Sequence, residues 1–581
     1  MASVEPLDMR VELLRGRQAW DFLADTGSQR AWADLLERCP WSTAFQSPEF
    51  AVGWYEVYQQ QYEPILILAG WPNGPVRGLL CLAHHHQTGE LVPVGGRDAE
   101  YQGWLALPED SDAFPREAFR RLRCHLPGTR IVFRYLPPGT PLTWVDSGEH
   151  SPACDLESWS KPIARTAEAT ASLRKKSNRS RLNRLKALGE IRFERILNTE
   201  ALEEIIGDVA LMYDLRQGAQ HGAFPFSRDA DKARMLTRLL REGILHATAM
   251  WSSDSLVSVH LGVREKHEVH LGVIAHSPFY AKHSPGKIHL LLLAQMLSVE
   301  GYSILDLTPG GDPYKDRSAD DYDEVHLLRV YESPLTRLAA HAVRGMENVA
   351  RKGLRAMGIE PRNAKLAYQR LRRTKARRVP AVLLSNVRDW LLRDSEFRIY
   401  SLVPDRVCRA SPTVPVSRDS LADLLRYAPA EGWQTKQAFL SRALARLEDG
   451  EHVYTITEGE RLLHYGWLRE QADKTFSTEV RQELRFPQGS AYLHDFYTFP
   501  HARGRGLDQQ VLCRILADLG AYPEVKRAFI GVLADNGPTK HVIEKMGFTY
   551  EFSGFQRIRF GQTHRWVGGQ FRRNLALGDS D

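Results

Sequence analysis

The chain has 581 residues, of which 43% are hydrophobic and 25% charged, with a formal net charge of +6. At about 150 residues per domain it is too long for one core and predicts three or four folded units, and its composition excludes a disordered or fibrous protein. No run of about 18 apolar residues occurs, and the start "MASVEPLDMRVELLRG" has no signal-peptide core, so neither a spanning helix nor a secretory leader is expected and the cytoplasm is the default location.

From Phe45, "FQSPEFAVGWYEVY" precedes short strand-like stretches at "PILILAGW", "GLLCLAHHH" and "LVPVGG". His84, His85 and His86 alternate faces on such a strand, so at most two reach one metal, and no carboxylate or cysteine stands at ligand spacing. The six cysteines, Cys39, Cys81, Cys124, Cys154, Cys408 and Cys513, contain no CxxC pair, which argues against a zinc ribbon and against a disulfide framework. From Leu173, "LRKKSNRSRLNRLKALGE" carries no acid until Glu190; a solvated helix face explains it, and so does a contact with a phosphate-rich partner.

The stretch "HEVHLGVIAHSPFYAKHSPGKIHLLLLAQMLSVEGYSILDLTPGGDPYKDR" reads as strand, Ser-Pro-Gly turn, helix stopped at Gly301, strand ending at Leu307, and glycine-rich turn. Ser284, Gly286 and Lys287 fall at the helix start, where unsatisfied backbone amides suit an anion. His260, His267 and His270 lie on predicted strands near this turn; an imidazole there accepts a proton from an amine near neutral pH, or is simply a satisfied strand histidine. Asp312, Tyr314 and Lys315, with Tyr213, Asp214 and Arg216 of "LMYDLRQGAQHGAFPF", are candidates for the acceptor side of this site, Lys and Arg holding an anion and Asp or Tyr moving a proton. A helix surface and a capped turn account for the same residues equally well.

Between Leu335 and Pro380 stand thirteen basic residues against Glu347 and Glu360, a local excess of +11 that leaves the rest of the chain at −5. Helical spacing broken at Gly353, Gly358 and Pro361 predicts a basic helical connector. Beyond it, "FYTFPHARGRGLDQQVLCRIL" passes from an aromatic-rich strand through two glycines into a helix carrying Val511, Leu512, Ile515, Leu516 and Leu519 on one face. Glycines let a backbone approach a ligand closely, helix-start amides point outward, and Arg503 and Arg505 add charge, a combination suited to phosphate or pyrophosphate.

The succession of that strand, R-G-x-G at Arg503 to Gly506, an amphipathic helix, the strand "KRAFIGVL", then Asn536 and "EKMGF" resembles the GNAT acyltransferase superfamily over roughly Glu396 to Phe560. The resemblance implies that Arg503, Gly504, Arg505, Gly506 and Leu507 hold the pyrophosphate of acyl coenzyme A through backbone amides, with Asn536 also on the coenzyme side. It further implies a base on the preceding strand, where His494 and Asp495 stand; only one side of that strand faces the cleft, so at most one of the two serves. Two positions depart from the pattern: Asp508 puts a carboxylate where phosphate approaches, and Ile543 replaces the tyrosine that often protonates the leaving thiolate.

In the N-terminal half, "FQSPEF", "LRKKSNRSRLNRLKALGE", the Ser-Pro-Gly turn and "D-L-T-P-G-G-D-P-Y-K" resemble the CelD-type acyltransferases associated with bacterial cellulose and exopolysaccharide synthesis, which pair two GNAT-like subdomains as the Fem aminoacyl transferases do. The match covers about Met1 to Tyr331, and Asp306-Leu307 stands in place of the usual aspartate-phenylalanine. No glycine loop separates strand from helix before about Ser160, which makes the first subdomain a structural copy. Together the resemblances imply an α/β (α+β) chain of three GNAT-like mixed-sheet units: a tandem pair at 1–334, a basic helical linker at 335–385, and a C-terminal unit at 386–581. The charge of the connector, independently of the resemblances, allows a weak RNA or anionic-lipid contact, and a solvated face is the commoner explanation of such charge. The implied chemistry is transfer of an acyl group, acetyl foremost, from coenzyme A to an amine or hydroxyl by direct attack on the thioester, with no metal. Two alternatives stand beside it: a Fem-like transferase using aminoacyl-tRNA, and a catalytically silent interaction module, to which Asp508 and Ile543 point.

Overall fold

The computed structural model describes residues 9–72, 74–128, 130–145, 152–356, 392–404, 413–430, 434–560 and 562–569. Two compact units divide the chain: unit 1 comprises Met1–Tyr213 and Pro225–Lys352, and unit 2 comprises Asp214–Phe224 and Gly353–Asp581. The helix Pro334–Ala356 runs through Gly353 rather than stopping there, which is physically reasonable because one interior glycine costs a helix only about 1 kcal/mol. Gly358, Pro361 and the remainder of the expected connector lie outside the described residues.

Unit 1 begins with a sheet of β1 (Val11–Arg15), β2 (Tyr62–Ala69), β3 (Gly78–His85) and β4 (Leu91–Pro93), with β5 (Leu105–Ala106) pairing β3. β2 and β3 are buried along most of their length, which is why "PILILA" and "GLLCLA" are continuous apolar runs instead of alternating ones. His84, His85 and His86 find separate partners: Glu63 lies 3.9 Å from His84, the amides of Gln87 and Thr88 donate to His85, and the Gln59 carbonyl lies 3.4 Å from His86.

The remaining strands of unit 1 are β6 (Ile131–Leu136), the last of its first half, and β7 (Ala153–Arg165), β8 (Ile191–Ile196), β9 (Leu245–Ser252), β10 (Ser255–Val263), β11 (Glu268–His270), β12 (Val273–His276), β13 (Ile304–Asp306) and β14 (Asp321–Tyr331) of its second. They form two sheets, ordered β12-β10-β9-β8 and β11-β13-β7-β14-β6. Unit 2 is built on one eight-stranded sheet of β15 (Leu392–Leu402), β16 (Ser417–Arg418), β17 (His452–Glu458), β18 (Arg461–Arg469), β21 (Ser490–Thr498), β22 (Arg527–Leu533), β23 (Thr549–Arg559) and β24 (Gln562–Gly569), ordered β16-β17-β18-β21-β22-β15-β23-β24. A separate hairpin joins β19 (Lys474–Ser477) to β20 (Gln482–Arg485).

Both halves of the chain thus share one strand order. β8-β9-β10 matches β16-β17-β18, β13-β7-β14 matches β22-β15-β23, and in each case the strand earliest in sequence of the latter three lies in the middle. The outer partner differs in origin: β24 follows β23 directly, whereas β6 is supplied by the first half of unit 1. That loan ties the first half of unit 1 to the second.

Helices complete the layers by burying one face. Leu290, Leu293 and Leu297 of the Pro285–Val299 helix pack with Val269, Leu271, Leu305 and Leu307, and Val511, Leu512, Ile515 and Leu516 of the Leu507–Leu519 helix pack with Ala491, Leu493 and Ile530. Each such leucine contributes about 1.5–3 kcal/mol by leaving water. Within unit 2, Leu215 and Ala219 join Phe439, Leu440 and Trp467 in a core cluster.

Candidate active site

In both units the strand leading into the anion-type turn changes partner part-way along. In unit 1, β11 runs parallel to β13, pairing Glu268 with Ile304 and His270 with Asp306, and after Leu271 and Gly272 the chain continues as β12, antiparallel to β10. Gly272 has φ +50, and a Cβ there would lie 2.3 Å from the Leu261 carbonyl oxygen, so glycine is required at the switch. In unit 2, Ser490 to Leu493 of β21 pair parallel with β22, while Tyr492 to Thr498 pair antiparallel with β18 across an irregularity between Tyr465 and Trp467. Asp495 occupies the corresponding left-handed position at φ +49. The consequence is a wedge: two strands diverge, and one edge of β12 is left without a strand partner among the described residues. Such an edge presents backbone N–H and C=O groups to an extended ligand.

Each wedge leads to a helix start of the same construction. A 3₁₀ turn at Pro278–His283 is followed by Ser284 at φ 57 and ψ 54 and the helix Pro285–Val299; a 3₁₀ turn at Pro500–Ala502 leads through Arg503–Arg505 to Gly506 at φ 67 and ψ 24 and the helix Leu507–Leu519. Neither cap residue supplies a side-chain bond to its helix. Around the first helix the charge is cationic: burial together with the nearby charges of Arg181, Lys175 and Arg317 lowers the Lys287 ammonium below its ordinary value, and burial with Arg184 and Lys282 lowers His283. Mutual repulsion of that kind is relieved by a bound anion.

The two sets of glycines serve different ends. A Cβ on Gly286 would meet His276 Nδ1 at 3.2 Å, so its smallness is explained by strand-helix packing, whereas Gly504 and Gly506 face open space. Arg503 donates to the Thr498 carbonyl, Arg505 pairs with Glu458 at 2.9 Å, and Asn536 caps the Gly537–Lys545 helix by accepting from the Thr539 amide.

At the point where β11 and β13 part lies a buried ionic cluster. His270 Nδ1 is 3.0 Å from Asp306 Oδ2 and Nε2 is 2.9 Å from Glu265 Oε1; the Tyr101 hydroxyl donates to Asp306 at 2.7 Å; Lys161 Nζ is 3.3 Å from Asp306 and 3.5 Å from Glu268. His270 and Asp306 are 0% exposed. Burial opposes charge on both, but the hydrogen bonds and charges between them win, so the imidazole is raised and the Asp306 carboxyl is lowered from their ordinary values. Glu268 goes the other way: burial first, then the charges of Asp306 and Glu265, raise it from its ordinary value despite His270 and Lys161. Glu265, Glu268 and His270 offer ligand atoms within 4.8 Å of one another, yet Lys161 and the imidazolium already offset two of the three carboxylates, and an ion network accounts for the cluster.

"FQSPEF" belongs to this arrangement. Gln46 donates to the Tyr101 carbonyl, the Ala44 amide donates to Glu265, and the Phe45 ring stands 5.1 Å from His270.

Several expected groupings resolve differently. His260 is fully buried beside the His270 carbonyl and burial pushes it down to about 3, His267 is exposed on the turn before β11, and His270 is a charged donor, so the three do not form a set of neutral bases. Lys315 is 6% exposed and its ammonium donates to the Thr308 carbonyl and hydroxyl, locking the glycine turn, with Asp312 at 3.9 Å and Tyr314 exposed. Asp214 and Arg216 belong to unit 2, where Arg216 pairs with Glu448 at 2.8 Å. In unit 2 the left-handed turn at Asp495 cancels strand alternation: Arg446 pairs with Asp495 and lies 3.9 Å from Glu451, which His494 meets at 2.9 Å, so both candidates reach one network. Ile543 is a core residue at 0% exposure.

Residues 172–316, which contain the wedge and helix start of unit 1, match the family model described as an acetyltransferase (GNAT) domain. No curated protein matches the chain. Among solved structures, FemX aligns at 12% identity over 53% of this chain and 98% of its own, with a TM-score of 0.36. L-PGS from Bacillus licheniformis aligns at 13% identity over 54% and 95%, with a TM-score of 0.35. A GNAT-family acetyltransferase from Colwellia psychrerythraea aligns at 13% identity over 64% and 99%, with a TM-score of 0.22. All three are distant likenesses.

Proposed function

We propose, from the premise that residues 172–316 are a GNAT acetyltransferase domain, that the chain transfers an acyl group from acyl coenzyme A to an amine or hydroxyl acceptor in the wedge of unit 1. The observation that carries this reading is the partner switch at Gly272, which leaves the β12 edge open directly ahead of a cationic helix start. The pyrophosphate would lie at Ser284–Lys287, the amides of the pantetheine arm along β12, and the thioester beside the β11–β13 divergence.

Glu268 is the residue best suited to move the proton, because burial raises its carboxyl from the ordinary value while that of Asp306 is lowered. It would accept the proton of the attacking amine or hydroxyl as the new C–N or C–O bond forms; the C–S bond then breaks and the coenzyme A thiolate leaves and takes up a proton. Asp306 and His270 position that strand end and do not themselves titrate near neutral pH. Unit 2 repeats the wedge, and Arg503, Gly504, Arg505, Gly506, Leu507 and Asn536 make it a second acyl-CoA candidate, with His494 and Asp495 on its proton side.

Calorimetric titration of the full chain with acetyl-CoA separates the two sites. Lys287→Glu is expected to weaken the unit 1 site at least about tenfold, since a charge-assisted contact contributes roughly 1.5–3 kcal/mol, while Arg505→Glu leaves that site unchanged. Loss of all binding on Arg505→Glu with none on Lys287→Glu would move the coenzyme to unit 2.

A further inference from the structure

The helix Pro334–Ala356 faces the opposite way from one that packs on a core. Leu335, Leu338, Ala342, Met346 and Val349 recur at steps of three and four, which places them along one face. That face is turned to solvent: Leu335, Leu338, Met346 and Val349 are 77%, 67%, 66% and 71% exposed. The polar face is the one tied down. Arg337 and His341 reach Asp155 Oδ1 of β7 at 2.7 and 2.9 Å, and Arg344 and the Tyr331 hydroxyl reach Oδ2 at 2.6 and 2.8 Å. Burial works against ionising Asp155, but these donors outweigh it and hold the carboxyl well below the usual carboxylate range. The clamp therefore fixes which side of the helix looks outward.

An exposed apolar stripe of this length needs an occupant. A second copy of the chain would lay two segments of net charge +11 side by side, and like charges oppose that. An anionic bilayer surface attracts the same charge through each Lys or Arg held close to it, and accepts Leu, Met and Val at the boundary between headgroups and acyl chains. Among the described residues no helix is long and apolar enough to cross a membrane, so the fitting arrangement is a helix lying in the interface.

We propose that the helix Pro334–Ala356 docks unit 1 on an anionic membrane surface, inserting the Leu335–Leu338–Met346–Val349 stripe, with the net positive charge of its sequence segment drawing it to the headgroups.

The test is co-sedimentation of the full chain with vesicles of equimolar phosphatidylglycerol and phosphatidylcholine, against phosphatidylcholine alone. Binding is expected to the mixed vesicles only, to weaken with salt, and to fall at least about tenfold in Leu338→Glu/Met346→Glu. Because both side chains are exposed, thermal unfolding should be unchanged; Leu335→Ser/Val349→Ser gives the same reading with a milder change if the first variant misfolds. No binding at low salt, or binding that the stripe variants leave intact, overturns the proposal. So does a concentration-dependent dimer, without vesicle binding, that the same variants dissolve.

Discussion

His270 is the residue on which the unit 1 site turns. It sits between Asp306 and Glu265 at full burial, and "REKHEVH" already contained the local half of the cluster, two carboxylates and an imidazole at close spacing. The other half was not readable: Tyr101 reaches Asp306 across 205 residues, and Lys161 stands in the strand "SWSKPIAR" without any local signal that it is buried. Replacing His270 with Ala leaves two carboxylates short of a cation, and urea unfolding should show a loss of about 3–5 kcal/mol. The pH dependence has a definite sign. A group whose folded value is raised contributes stability that is complete below its unfolded value, about 6.5 for histidine, and that disappears as pH rises through the folded one. The wild-type urea midpoint should therefore fall on the alkaline side of the ordinary imidazole range, and that limb should be absent from His270→Ala. An alkaline limb of equal size in both would assign it to other groups.

At the scale of elements, the two wedges achieve one backbone path with different residues. Unit 1 uses Gly272 against the Leu261 carbonyl, and unit 2 uses Asp495 within an irregular strand pair. The strand, turn and helix of each site were legible, because apolar periodicity and the Ser-Pro-Gly and Arg-Gly turns mark them locally. The partner switch was not, since register is decided by strands far away in sequence, and it brings His494 and Asp495 into one ion network where simple strand alternation would set neighbours on opposite faces. Gly272→Ala should cost about 2–3 kcal/mol from left-handed strain, with the close carbonyl adding to it, and should lower the unfolding temperature and weaken acetyl-CoA binding together. A stable variant with normal binding would show that the switch does not depend on glycine.

For the whole molecule, the α/β class and the presence of related mixed sheets in both halves could be read from the order of strands and helices. The sharing of one strand order, with β7 and β15 each inserted between strands far later in sequence, could not, because a central strand from the start of a unit looks locally like any other. Nor did composition reveal that β6 crosses from the first half of unit 1 into the sheet of the second. The basic, amphipathic character of the Pro334–Ala356 helix was visible in its periodicity; which face it would bury depended on Asp155, nearly two hundred residues earlier in the chain. Hydrogen–deuterium exchange of the full chain with and without acetyl-CoA bears most directly on acyl transfer in unit 1: slowed exchange is expected over Leu271 to Lys287, along the open edge of β12 and into the helix start. Unchanged exchange there, or protection confined to His494 to Gln510, would contradict it.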